Sequence, residues 1–166
     1  MTDAIFEAAC KLVLLLREQG LPHSAAETCP GGWFAKSVVD VPGASAVFAG
    51  GVVSYINEIK EKVLGVPAEM LERYTAVSAP VAAAMAEGVR RLTGTALAVS
   101  VTGLAGPGGG TEDIPGGRVY LGLSREEGTD TVTLDLQGDR EQVRSTAVLC
   151  MIQEIIKRLT YTKGEI

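Results

Sequence analysis

The chain has 166 residues, of which 46% are hydrophobic, 21% charged and 5% aromatic, enough to bury a substantial core and too apolar for disorder. Fifteen basic against 20 acidic residues give a net charge of −5 with no basic stripe, which argues against nucleic acid as partner and leaves room for a small anionic ligand held by local donors. No apolar run approaches the roughly 20 residues that span a membrane. Three widely spaced cysteines (Cys10, Cys29, Cys150) and acidic Asp3 and Glu7 near the start fit a cytoplasmic protein better than a secreted one.

In chain order, Ile5, Ala8, Ala9, Leu12, Leu15 and Leu16 recur at three and four and predict a helix from Thr2 to about Gln19, stopped by Gly20. A short strand over Ala25 to Thr28 follows. Pro30-Gly31-Gly32 then turns the chain into a helix over Trp33 to Val39, closed by Pro42-Gly43. Ala46 to Tyr55 reads as a buried strand interrupted at Gly50-Gly51. A helix from about Asn57 to Gly65 and a short one from Pro67 through Arg73 come next. Ser78 caps another helix, with Pro80 in its first turn. Thr95 to Thr102 alternates Leu97, Val99 and Val101 with small residues, as a central strand does. Arg118 to Ser124 and Thr131 to Gln137 predict a hairpin across Glu127-Gly128, and a last helix runs from about Asp139 to Leu159. Helices between the early strands and a late hairpin predict an α/β fold: a three-layer α/β/α single domain over residues 1–166 with a mixed, mostly parallel sheet.

Four segments carry residue types that chemistry needs. Glycine makes up 20 of the 166 residues, about 12% against an average of roughly 7%, and clusters after the central strand in Gly103-Leu104-Ala105-Gly106-Pro107-Gly108-Gly109-Gly110. Such a loop is either a flexible connection or a nest of converging N–H groups at the carboxyl edge of a sheet. Glu27-Thr28-Cys29-Pro30-Gly31-Gly32 is a strand running through a glycine turn into a helix, whose N-terminus could receive a phosphate. There Cys29 is a small buried residue or a nucleophile with no histidine beside it, since His23 lies upstream. Gly43-Ala44-Ser45 and Tyr55-Ile56-Asn57-Glu58-Ile59-Lys60 supply a serine and a lysine, which act as nucleophile and base only if the lysine is desolvated. In Gly138-Asp139-Arg140-Glu141-Gln142-Val143-Arg144, Asp139 and Gln142 form a capping-box variant, so Arg140 sits against the helix dipole, either solvated or held by an anion. One histidine and no clustered cysteines leave no zinc site of ordinary ligand spacing.

Together and in this order, these segments, with Ala76-Val77-Ser78, resemble the C-terminal domain of the competence/damage-inducible protein CinA, most specifically in Gly103-Leu104-Ala105-Gly106-Pro107-Gly108-Gly109. Stand-alone versions of that domain are nicotinamide mononucleotide (NMN) deamidases. The resemblance implies hydrolysis of the NMN carboxamide to nicotinate mononucleotide and ammonia, without metal or other cofactor, on a chain that forms a homodimer or higher homo-oligomer. By position it makes Ser45 the nucleophile, Lys60 the base and Tyr55 an assisting hydroxyl. Thr28, Gly31, Gly32, Asn57, Thr102, Gly103, Gly106, Gly108, Gly109 and Arg140 become substrate-binding residues. Where the family usually has Ser-Cys-Thr-Gly-Gly, this chain has Thr28-Cys29-Pro30-Gly31-Gly32. The alternatives are a non-catalytic nucleotide-binding module and an amidase acting on a related carboxamide. A straight strand from Ala46 to Tyr55 would hold its ends roughly 30 Å apart. Pairing Ser45 with Lys60 therefore requires a bend at Gly50-Gly51, a short helical turn carrying Ser45 beside the strand end, or a site shared between subunits.

Overall fold

The computed structural model describes residues 2–161 apart from 107 and 109. Its elements are α1 (Thr2–Gln19), β1 (His23–Glu27), α2 (Trp33–Val39), a 3-10 turn (Ala44–Ala46), β2 (Phe48–Val53), α3 (Asn57–Leu64), α4 (Ala68–Tyr74), α5 (Ala79–Thr93), β3 (Leu97–Gly103), β4 (Arg118–Arg125), β5 (Gly128–Asp135) and α6 (Arg140–Tyr161). One five-stranded sheet has the order β2-β1-β3-β4-β5. Its β2, β1 and β3 are parallel, and β3, β4 and β5 antiparallel. The sheet is thus mixed as expected, with two parallel and two antiparallel pairings and only β4 running against the other four strands.

Strand alternation sorts the two helical layers. Ala25, Leu97, Val99, Val101, Val119, Leu121 and Leu123 face a layer of α1, α2 and α6, packed against Leu12, Leu16, Phe34, Val148, Ile152 and Ile155. On the other face Ala26 and Ala98 meet Leu64, Leu71, Val81, Met85 and Val89 from α3, α4 and α5. This second face is lined with small residues because α5 sits close. A Cβ added at Gly122 would run into the Ala82 carbonyl of α5, and the buried Ser100 Oγ donates to that same oxygen at 2.5 Å. Likewise a Cβ at Gly88 would overlap the Leu64 carbonyl oxygen. The α3–α5 packing therefore needs glycine there, and that packing holds α3 in place.

Two expectations are corrected. The apolar stretch after Ala46 is an edge strand, half-buried and exposed by turns, because only β1 flanks it. The hairpin turns at Glu126-Glu127, with β5 opening at Gly128.

Candidate active site

Because β2, β1 and β3 run parallel, their carboxyl ends share one edge of the sheet, and there a cavity of about 700 Å³ opens. Thr28, Cys29, Pro30 and Gly31 enter it after β1, Val53, Tyr55 and Lys60 after β2, and Thr102 to Gly106 and Gly108 at the end of β3. Ala76 and Val77 close one side, and Arg140 and Arg144 of α6 another.

Lys60 is fully buried although it lies on a helix rich in charge. Its Nζ donates to the carbonyl oxygen of Ser54 at 2.7 Å and, more weakly, to that of Tyr55 at 3.5 Å. Burial pulls its pKa below the usual lysine value, because desolvation disfavours the charged amine. The Thr28 hydroxyl donates to the same Ser54 oxygen at 3.0 Å, so one carbonyl gathers a hydroxyl and a desolvated amine as near neighbours. Thr102 Oγ1 donates to the Ala76 carbonyl at 2.7 Å, tying the end of β3 to the segment before α5.

The arginine side differs in character. Arg140 donates to the Tyr55 hydroxyl at 3.3 Å and to the Gly106 carbonyl at 3.4 Å, joining the β2 end, the glycine loop and α6. Arg144 donates to the Pro30 carbonyl at 2.8 Å and lies 5.5 Å from the centre of the Trp33 ring. Burial raises the Cys29 thiol's pKa, a shift the two arginines only partly oppose, so Cys29 is a protonated thiol without a base rather than an activated nucleophile.

Residues 6–159 match the family model described as the CinA C-terminal domain. The chain belongs to the CinA C-terminal domain family. A CinA-like protein of Parasynechococcus marenigrum is 45% identical over 154 residues, 91% of this chain and 36% of that protein. One from Geobacter sulfurreducens is 45% identical over 145 residues, 87% and 35% of the two. The chain thus spans about a third of the length of these curated relatives. Among solved structures, the CinA-superfamily protein of Klebsiella pneumoniae 700603 superposes with TM-score 0.92 at 29% identity, covering 95% of this chain and 98% of the other. The competence/damage-inducible protein of Agrobacterium tumefaciens gives 0.88 at 34% identity, covering 95% and 96%.

In this CinA-family chain the expected site residues divide. Thr28, Gly31, Tyr55, Lys60, Thr102, Gly103, Gly106, Gly108 and Arg140 line the one cavity. Gly109 lies outside the described residues. Asn57 is exposed at the start of α3 and Gly32 is half-buried, neither lining the cavity. Ser45 stands apart from them. It does occupy a short helical turn, but at the amino end of β2, in a separate hollow with Val41, Pro42 and Phe48. The whole of β2, some 17 Å at 3.3 Å per residue, separates it from Lys60. The irregularity at Gly50 shifts register without turning the strand back.

The expectation that the α2 N-terminus receives a phosphate also fails. Glu27 is buried and fills that place itself, accepting from the N–H groups of Gly32 at 2.9 Å, Phe34 at 3.2 Å and Ala35 at 2.9 Å. Desolvation raises its pKa, opposed by these three bonds. Arg144 joins the site through its spacing of four from Arg140, which puts both on one helix face. No group of three or more His, Cys, Asp or Glu among the described residues could hold a metal ion, and no helix among them is long and apolar enough to cross a membrane.

Proposed function

We propose that the chain hydrolyses the carboxamide of nicotinamide mononucleotide, releasing ammonia and nicotinate mononucleotide. The observation that carries this reading is the Thr28–Lys60 pair on the Ser54 carbonyl, inside a cavity lined by cations and glycines. Family membership supports the class of reaction, and the geometry supports Thr28 in place of Ser45 as the attacking hydroxyl. A neutral Lys60 has two N–H groups for the Ser54 and Tyr55 carbonyls and a lone pair left for the Thr28 proton. Thr28 Oγ1 then bonds to the carboxamide carbon, and the carbonyl oxygen takes the negative charge. Collapse of that intermediate breaks the C–N bond as Lys60 returns the proton to the departing nitrogen, which leaves as ammonia. Water, deprotonated by Lys60, hydrolyses the resulting ester and restores Thr28.

A second reading keeps Ser45. The β2 edge carries no charged residue and exposes Val53, and Tyr55 and Ile56 stand exposed beyond it. Such an edge invites pairing with another strand. A second copy paired antiparallel along it would bring its own Ser45 to the Lys60 end.

Ammonia release from NMN by the purified protein tests both readings. With Thr28 as nucleophile, Thr28→Val and Lys60→Met abolish turnover and Ser45→Ala retains it. Loss of turnover in Ser45→Ala, restored by mixing with Lys60→Met chains, would instead support a shared site. No ammonia release from wild type refutes the deamidase reading.

A further inference from the structure

Lys60, Arg140 and Arg144 all line the cavity, and among the described residues no acidic side chain does, in a chain of net charge −5. The two arginines stand one helical turn apart at the start of α6. Among the described residues neither makes an ion pair; the arginines that do are Arg118 and Arg158. Arginines unpaired at the wall of a cavity are suited to a multiply charged anion, and the guanidinium fork matches phosphate oxygens in pairs.

The two are held differently. Arg144 is half-buried and fixed from two sides, by the Pro30 carbonyl and by the face of Trp33. These contacts set the plane of its fork while using a single N–H. Arg140 is exposed and, among the described residues, makes two long bonds to neutral acceptors, which a charged oxygen displaces readily. Both lower the Cys29 thiol pKa against its burial, so both act on the same stretch of wall. The α2 N-terminus nearby is already filled by the Glu27 carboxylate.

We infer that Arg144, oriented by Pro30 and Trp33, forms with Arg140 a seat for a phosphate monoester dianion. Arg144 is the preset fork and Arg140 the second, exposed arm. That the ester is the 5′-phosphate of a carboxamide nucleotide rests on the proposed function; the seat itself rests on the arginines. Trp33 is a positioning residue, acting through Arg144.

The experiment compares NMN with nicotinamide riboside, which lacks the phosphate, on wild type, Arg144→Gln and Arg144→Lys. Titration calorimetry with adenosine 5′-monophosphate, adenosine and inorganic phosphate runs beside it. Wild type is expected to prefer NMN over the riboside by at least a hundredfold in kcat/KM. Arg144→Gln should cut that preference at least tenfold, mainly through KM for NMN, with kcat within about threefold. Arg144→Lys, which keeps the charge but not the fork, should fall between. Equal losses on both substrates, or an unchanged preference, overturn the seat. If neither substrate turns over, the deamidase reading fails while calorimetry still decides the seat. The monophosphate must then bind at least tenfold more tightly than adenosine, and Arg144→Gln must remove the difference. Thermal melting identifies a variant that has lost its fold, in which case Arg144→Lys carries the comparison.

Discussion

His23 opens β1 with no exposure to solvent, its ring 5.1 Å from that of Phe48 and 6.1 Å from that of Phe34. Nδ1 lies 2.7 Å from the Val47 carbonyl oxygen, which can only accept, so Nδ1 carries the proton and Nε2 is left buried without a partner. Protonating Nε2 would bury a charge. Desolvation accordingly lowers the pKa from 6.5 to about 4, against a smaller opposite effect of the Val47 bond. The folded state then binds fewer protons than the unfolded chain between these values. His23's contribution to stability is complete above about pH 6.5, falls as the pH drops, and is exhausted below about pH 4. A shift of about 2.5 units corresponds to roughly 3 kcal/mol, of which a little over 2 kcal/mol is lost between pH 7 and 4.5.

The only histidine in the chain gives an unambiguous imidazole NMR signal, so its titration reads the folded pKa directly. Urea unfolding of wild type and His23→Gln at pH 7 and 4.5 reads the linkage. Subtracting the variant removes the carboxylates from the comparison, including Glu27, whose raised pKa works in the opposite direction by favouring the folded state as the pH falls toward its ordinary value. Wild type should lose about 2 kcal/mol more than the variant over that interval. A His23 signal titrating near 6.5, or parallel losses in the two proteins, would refute the reasoning.

Three other outcomes follow from the same structure. Turnover should rise with pH, with a midpoint below the ordinary lysine value because burial lowers the Lys60 pKa; a pH–rate profile with a midpoint at or above 10.5 contradicts a neutral Lys60. Gly88→Ala forces a methyl against the Leu64 carbonyl of α3, which should cost about 1–3 kcal/mol in urea unfolding and lower kcat by displacing Lys60. Glu27→Gln replaces one of the two oxygens that accept from Gly32, Phe34 and Ala35 with a donor, a loss of about 1–3 kcal/mol to be read as a lower melting temperature.

Elements whose residues report their own surroundings were legible in the sequence. The three-and-four spacing of Ile5, Ala9, Leu12 and Leu16 gives α1, and the Trp33–Val39 helix is bounded by glycine and proline on both sides. What depends on a neighbour was not. Phe48–Val53 is as apolar as a central strand, and only its position in the sheet order makes it an edge. Lys60 lies between Ile59 and Glu61 in a helix that reads as solvated, yet close docking of α3 on α5 at Gly88 buries it. Ser45 and Lys60 are 15 positions apart in sequence, and the parallel pairing of β2 with β1 puts them at opposite edges of the sheet. Nothing in the spacing shows that Glu27, at the end of β1, reaches forward onto the N-terminus of α2.

The direction of the strands also orders the cavity. The segments after β1 and β2 carry Thr28, the Ser54 carbonyl and Lys60, a hydroxyl, an acceptor and a desolvated amine suited to an uncharged group. The α6 wall carries Arg140 and Arg144, both charged. For the carboxamide nucleotide proposed above, this separation matches its two ends: the carboxamide to Thr28 and Lys60, the phosphate to the arginines. The reverse orientation would take a dianion away from both guanidinium forks and leave them facing an apolar ring. Exchanging those ends loses two charged contacts, so a single binding mode is expected at the candidate site.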